Sequence, residues 1–257
     1  MYFTVSAEAQ ILLAICIFYL YDAAVGLQAG EGLLRRTRSN SWRAQLATQG
    51  FELRRAYLLW PPVLQPHQPV YRLRWNPGHI RLPDESPAVQ ELARHAASFA
   101  PFVLPLYLLA LLLFGALPAS FFVLHSETAQ LVALALIYLS TLWLALLCVR
   151  HGRLGHTEAR TARSVAIQIL LCPPFALNAV RKLSLACSPA CDLPQAARQL
   201  AAPGDWQALA KAMHATIEEQ IAELRDSDHA DDAQQQRLQA ALRQLEPHLP
   251  AGDAEGI

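Results

Sequence analysis

Between Arg94 and Arg150 lie 55 residues that carry one formal charge, Glu127. The block divides at residues 118–128, a short stretch holding Ser120, His125, Ser126 and Glu127. Residues 98–117 stand on one side and residues 129–149 on the other. Each is about 20 residues, or roughly 30 Å as helix, which matches the hydrocarbon thickness of a bilayer. Two adjacent uncharged helices of that length read as a transmembrane hairpin. Pro101 and Pro105 fall near one end of the first span, where water or a neighbour can replace the backbone hydrogen bonds they remove.

An earlier apolar run, residues 9–27, ends near Gly26. A cleaved secretory signal needs a basic leader and a small-x-small cleavage site. Here the leader has no Lys or Arg and carries Glu8, and Arg35, Arg36 and Arg38 come after the apolar run. That order predicts a retained anchor with its N-terminus outside.

Composition supports a membrane class. Hydrophobic residues make up 53% of the 257 residues and charged residues 16%, against roughly 25% charged in a soluble domain. That balance excludes a disordered chain and a disulfide scaffold, and the zero net charge argues against nucleic-acid binding. The zero hides a division: residues 1–204 hold 17 basic and 10 acidic residues, residues 205–257 hold 4 and 11. Arg provides 19 of the 21 basic residues. With the N-terminus outside, all 21 Lys and Arg fall on the cytoplasmic side, as the inside-positive bias requires. Arg94, Arg150, Arg153, Arg160 and Arg163 flank the hairpin.

A fourth segment, residues 165–180, is 16 residues long and is interrupted by Pro173-Pro174, with Arg163 before it and Arg181-Lys182 after it. A short, broken, doubly basic-flanked stretch reads as re-entrant or interfacial. Between the first two spans, residues 33–49 are expected to continue as helix, residues 51–60 favour strand, and Pro61, Pro62, Pro66 and Pro69 enforce an extended connector. Residues 70–75 alternate, and Asn76-Pro77-Gly78 supplies a turn toward Ile80 and Leu82, so a β-hairpin is expected there. In the tail, Trp206, Leu209, Ala210, Met213, Ile217, Ile221 and Leu224 form one helical stripe behind Asp205. A second helix carries Leu238, Ala241, Leu242 and Leu245. The two read as an αα-hairpin whose stripe docks on the insertion, another copy or a partner.

Chemical signals are sparse. Cys187-x3-Cys191, with Cys172, His151 and His156 near in sequence, has poor spacing for zinc and is read as reduced thiols. His67, His79 and His95 lack metalloprotease spacing. Asp22 is the one acidic residue inside an apolar run. It is read as an interfacial group that meets water, Arg35 or Arg36, with an ion relay as the sharper alternative. Gln168, Asn178, Ser140 and Thr141 are read as interhelical hydrogen-bonding groups. Arg interleaved with aromatics, as in Trp42-Arg43 and Tyr71-Arg72, suits anionic lipid better than nucleic acid.

The fold class expected is therefore an all-α membrane protein with three transmembrane helices, a cytoplasmic β-hairpin insertion and a C-terminal αα-hairpin. Its parts are residues 1–30, 31–95, 96–150, 151–204 and 205–257. The function expected is a bacterial-type inner-membrane accessory or scaffold protein without catalysis, cofactor or metal. Arg35, Arg36, Arg38, Arg94, Arg150 and Arg153 would meet anionic headgroups, and Trp206, Leu209, Met213 and Ile217 a protein partner or a second copy. The competing functions are a transport subunit, with Asp22, Gln168 and Asn178 as its intramembrane polar site, and a membrane-bound enzyme. The enzyme would be favoured by a polar pocket that gathers several of His67, His79, His95, His151 and Asp22.

Overall fold

The computed structural model describes residues 6–37, 41–54, 56–80, 82–83, 85–226 and 232–249. Its element order is α1 (Ala7–Ala23), β1 (Val25–Leu27), β2 (Glu31–Arg36), β3 (Trp42–Leu46), β4 (Phe51–Leu53), β5 (Ala56–Leu59), β6 (Val70–Arg74), α2 (Pro87–Ala97), α3 (Val103–Leu111), α4 (Leu117–Phe122), α5 (Glu127–Arg153), α6 (Ala159–Leu171), α7 (Ala179–Leu185), α8 (Leu193–Leu200), α9 (Pro203–Asp226) and α10 (Asp232–Leu245). The chain is mostly helical, yet it carries two small sheets where one hairpin was expected. It divides into two compact units. The first takes Met1–Val25, Trp60–Pro69 and Arg94–Cys187; the second takes Gly26–Leu59, Val70–Ala93 and Ser188–Ile257.

Among the described residues, two helices are long and apolar enough to cross a membrane: Pro87–Phe122, which joins α2, α3 and α4 and belongs to the first unit from Arg94 onward, and Glu127–Arg153, which is α5. Only 39% of the most apolar stretch of each is buried inside the protein. A helix at the centre of a soluble domain would be mostly covered, and here Leu104, Leu111, Leu131, Leu139 and Leu146 stand exposed. A π-helical turn, Leu112–Ala116, precedes Pro118, where the missing proline N–H shifts the hydrogen-bond register. Ser126 caps α5, accepting a hydrogen bond from the Ala129 N–H at 3.4 Å.

The third expected span is corrected in extent. α1 stops at Ala23 after 17 residues, and Val25–Leu27 is strand rather than helix. The Gly26, Gly30 and Gly32 spacing weakens helix propagation and lets the chain pair as sheet. The fourth segment proves to be three pieces: α6, a 3-10 turn over Pro173–Asn178, and α7. Cys172 before the proline pair is extended, as steric contact with a following proline ring requires. α6 folds back along α5 after a loop containing Gly155 at φ +78°. Their close approach rests on Gly152, where an added Cβ would sit 2.6 Å from the Ala162 Cβ.

The second unit overturns two further expectations. In place of the helix expected over residues 33–49, the described residues form β2, β3 and a 3-10 turn at Ala47–Gln49: β2 pairs antiparallel with β3 and with β6, placing Leu34 opposite both Ala44 and Tyr71. The expected hairpin between residues 70–75 and 80–82 is likewise replaced, because β6 takes β2 as its partner. Long-range pairing wins since Leu33, Leu34, Val70, Tyr71 and Leu73 are all buried by it. The second sheet has the order β1-β5-β4, with Phe51 opposite Leu58 and Leu53 opposite Ala56.

The tail forms the expected helical pair, α9 and α10, which pack on each other; the acidic run at residues 227–231 lies outside the described residues. α9 lies on β3 and α8 on β2 and β3. Ala201 bridges Trp42, and Arg43 pairs with Asp205 at 3.3 Å. A Cβ at Gly32 would meet the Leu193 side chain at 2.5 Å, so glycine sets the approach of α8.

Gly152→Val should drive α5 and α6 apart and cost about 1–3 kcal/mol through overpacking. Thermal unfolding of detergent-solubilised protein checks this. Gly204→Ala, where no atom lies within 4 Å of the added Cβ, should leave the melting temperature nearly unchanged.

Candidate functional site

A polar cluster in the first unit joins α1 to the broken segment. Asp22 sits in the last turn of α1; Asn178 ends the 3-10 turn; Arg181 and Lys182 lie in the first turns of α7. The Lys182 ammonium lies 2.8 Å from Asp22, and the Asn178 amide donates to the same carboxylate at 3.1 Å. Asn178 also donates to the Tyr19 carbonyl at 3.3 Å, and its own amide oxygen accepts from Arg181 at 2.8 Å. Lys182 reaches the Gln168 side-chain oxygen at 3.2 Å and stands 4.7 Å from the Phe175 ring centre. Gln168 donates to Ser164 at 3.4 Å.

The proline-rich connector completes the cluster. Prolines cannot donate, so the segment stays extended and its carbonyls need donors from elsewhere. Arg181 donates to the Pro62 carbonyl, and the Tyr19 hydroxyl donates to the Val63 carbonyl. Arg181 is 2% exposed and its Nε has no hydrogen-bond partner. The Asp22 carboxylate thus pairs with Lys182 in a site where both keep under a fifth of their side chain exposed. A charge so placed is held by its partner, because stranding either one leaves an uncompensated ion in a poorly hydrated site.

This geometry corrects two assignments. Asp22 meets Lys182 and Asn178, while Arg35 and Arg36 belong to β2 in the second unit. Thr141 donates to the Ile137 carbonyl of its own helix at 2.8 Å and does not bridge helices. Asp22, Asn178 and Gln168 are brought together, Gln168 through Lys182. Arg181, Tyr19 and the Pro62 and Val63 carbonyls were missed. The available signal was charge matching: the lone acid of the first apolar run and the Arg181-Lys182 pair that ends the broken segment.

A second cluster lies at one end of the two long apolar helices. The His151 ring lies 5.6 Å from His95, 4.9 Å from His156 and 4.5 Å from Phe99. Ser98 Oγ is 3.3 Å from His151 Nε2. His151 is 3% exposed and its Nδ1 lacks a partner. His67 instead faces Tyr107 at 5.3 Å, and His79 is exposed in the second unit. Among the described residues no three His, Cys, Asp or Glu side chains are arranged to hold a metal ion. Arg94, Arg150 and Arg153 are exposed beside this cluster.

In the second unit the helical stripe is spent internally. Trp206, Leu209, Met213 and Ile217 are buried, which corrects their assignment as partner contacts. Arg35 is half-buried; burial lowers its pKa most, Arg43 adds to this and Asp205 opposes it. Arg38 lies outside the described residues. An open cavity of ≈ 800 Å³ is lined by Leu82, Asp192, Gln195, Arg198, Gln244 and His248, among others. Burial and then Arg198 hold His248 below the usual imidazole range. Arg198 also donates to the Leu82 carbonyl.

Comparison of the chain with models of known protein families, with curated proteins and with solved structures finds no match.

A double-mutant cycle on Asp22→Asn and Lys182→Met should give a coupling of about 1–3 kcal/mol in thermal or denaturant unfolding, with the double variant more stable than either single-site sum. Additive effects would mean that the two side chains do not depend on each other.

Proposed function

We propose that the chain is a multi-pass inner-membrane accessory or scaffold protein, anchored by its first unit and presenting its second unit to a partner in the cytoplasm. The observation that carries this reading is the pair of bilayer-length helices whose outward faces are leucine-rich and whose flanking Arg94, Arg150 and Arg153 gather at the His95–His151 end. Cations gathered at one end of two spans mark the cytoplasmic side. α1, with exposed Leu13, Ile17 and Leu20, then serves as a third crossing with its N-terminus outside. At 17 residues it reaches about 26 Å, short of a full bilayer but within range for local thinning.

The partner surface we assign is the outer face of the tail hairpin. Glu218, Glu219 and Glu223 are exposed on α9, opposite its buried stripe. Acidic residues concentrated on one solvent face favour a basic protein surface, with association that weakens as salt rises. This replaces the apolar stripe as the interaction surface, since that stripe closes the unit's own core. Self-association through the same face is disfavoured by like charge.

The transport reading keeps one specific support: a broken segment beside a buried polar cluster, an arrangement tolerated at membrane depth where it lines a cavity or is covered by protein. Flux through liposomes that fell with Asp22→Asn would favour it over the scaffold reading.

In cells, reporters fused after Ile257 and within residues 118–128 should report the cytoplasm and the outside, respectively. Crosslinking of the full-length protein should recover a partner that Glu219→Lys/Glu223→Lys loses by roughly tenfold, the equivalent of about 1.4 kcal/mol. Unchanged recovery by that variant would rule out the acidic face.

A further inference from the structure

The open cavity of ≈ 800 Å³ is formed wholly by residues of the second unit. Its volume lies in the range of small-molecule sites, roughly 300–1,000 Å³, and the scaffold reading gives it no role. One wall is a face of α8. Asp192, Gln195 and Arg198 follow one another at three-residue spacing and all line the cavity, because residues three apart are neighbours on a helix surface. Asp192 is the N-cap of α8, yet its side chain makes no capping hydrogen bond. An N-cap carboxylate ordinarily accepts from the backbone of the first turn; this one lines the cavity instead.

The remaining walls are built by the end of α10, the turn after it and the loop before α2. Gln244 and His248 come from the first two. Trp206, 7% exposed, sets its ring 5.5 Å from the His248 ring at 68°, which holds the imidazole from the core side. Leu82 and Pro83 form the loop wall, tied to α8 by two bonds: the Arg198 guanidinium donates to the Leu82 carbonyl, and the Gln199 amide donates to the Pro83 carbonyl at 3.0 Å. A wall held in place beforehand lowers the ordering cost of binding.

Charge is laid out along the α8 wall. Among the described lining residues, Asp192 is the one anion and Arg198 the one cation at neutral pH. His248, held below the usual imidazole range by burial and then by Arg198, is uncharged there. The acid and the guanidinium stand six residues apart, about 9 Å of helix rise, with Gln195 halfway between them in sequence. A ligand that complements this order carries an ammonium at one end, a carboxylate at the other and amides between. Arginine pairs with a carboxylate through a two-bond fork, and a glutamine carboxamide offers a peptide group both a donor and an acceptor. An extended peptide advances about 3.3–3.6 Å per residue, so about three residues cover the interval.

We propose that this cavity binds a short peptide with both termini free, its ammonium at Asp192, its carboxylate at Arg198 and His248, and its amide groups against Gln195 and Gln244. Ile80 and Leu82 give the peptide's side chains an apolar surface. A nucleotide or a sugar phosphate would set its phosphates beside Asp192 with a single arginine to balance them, whereas a zwitterion leaves neither Asp192 nor Arg198 opposite a like charge. The site belongs to the second unit alone and is independent of the membrane reading above.

The test is equilibrium dialysis of radiolabelled Ala-Leu-Ala against the full-length, detergent-solubilised protein. One saturable site is expected, with N-acetyl-Ala-Leu-Ala and Ala-Leu-Ala amide, each lacking one charge, competing roughly tenfold more weakly. Asp192→Asn, which keeps an N-cap residue of equal rank, should weaken the free peptide by the same factor and leave the acetylated peptide unchanged. No saturable binding by the wild-type protein overturns the site. Competition that acetylation and amidation leave undiminished overturns the pairing of the two termini. Equal affinity for free lysine, which carries two separated charges without peptide amides, overturns the peptide as ligand. Unchanged binding of the free peptide to folded Asp192→Asn puts it elsewhere on the protein and overturns the cavity as its site. The ligand comparisons use the wild-type protein, so they decide even where the variant fails to fold.

Discussion

Hydrocarbon tolerates helices only when their backbone groups are satisfied internally and their side chains carry no charge, and two helices of this chain are long and apolar enough to meet that constraint. The 55 residues between Arg94 and Arg150 meet it with one acid, placed where the chain turns. Because those residues cannot bind water, whatever is polar must gather elsewhere: at the imidazole end, in the cluster under α1, or in the second unit. Close packing then depends on absence of bulk. Gly152 opposite Ala162 lets α6 lie along α5, and without that contact the broken segment would have no wall to fold against.

The polar cluster shows how proline shapes electrostatics at a distance. Pro173-Pro174 ends α6 and sends the chain through a 3-10 turn, which brings Asn178, Arg181 and Lys182 to Asp22. Pro61 and Pro62 keep a second segment extended, and its carbonyls take up Arg181 and Tyr19. Two sets of residues that lack backbone donors thereby supply the acceptors and the geometry for a buried cation. The cluster ties three stretches of chain, separated by up to 159 positions, into one unit.

The second unit folds by long-range choices that composition does not reveal. Residues 33–36 look helical after an apolar helix, and residues 70–82 look like a hairpin. Each local preference is worth a fraction of a kcal/mol. Pairing β2 with β6 buries Leu34 and Tyr71 completely, and that burial is worth several times more. The tail's stripe was legible as a stripe, since Trp206, Leu209, Met213 and Ile217 repeat at helical spacing. What it covers was not legible, because periodicity reports that a face is buried and says nothing of the neighbour.

Taken alone, the sequence determined the two membrane-length helices, the arginines at their ends, the tail's helical pair and the suspicion attached to Asp22. These are local properties: length, charge and period are written in consecutive residues. Tertiary structure decided that Asp22 meets Lys182 and Asn178, that β2 joins β6, and that α9 closes a core while Phe51 and Leu53 stay outside. Each of those outcomes joins residues far apart in the chain. Pairings of that kind are set by which combination buries the most apolar surface while leaving the fewest charges alone.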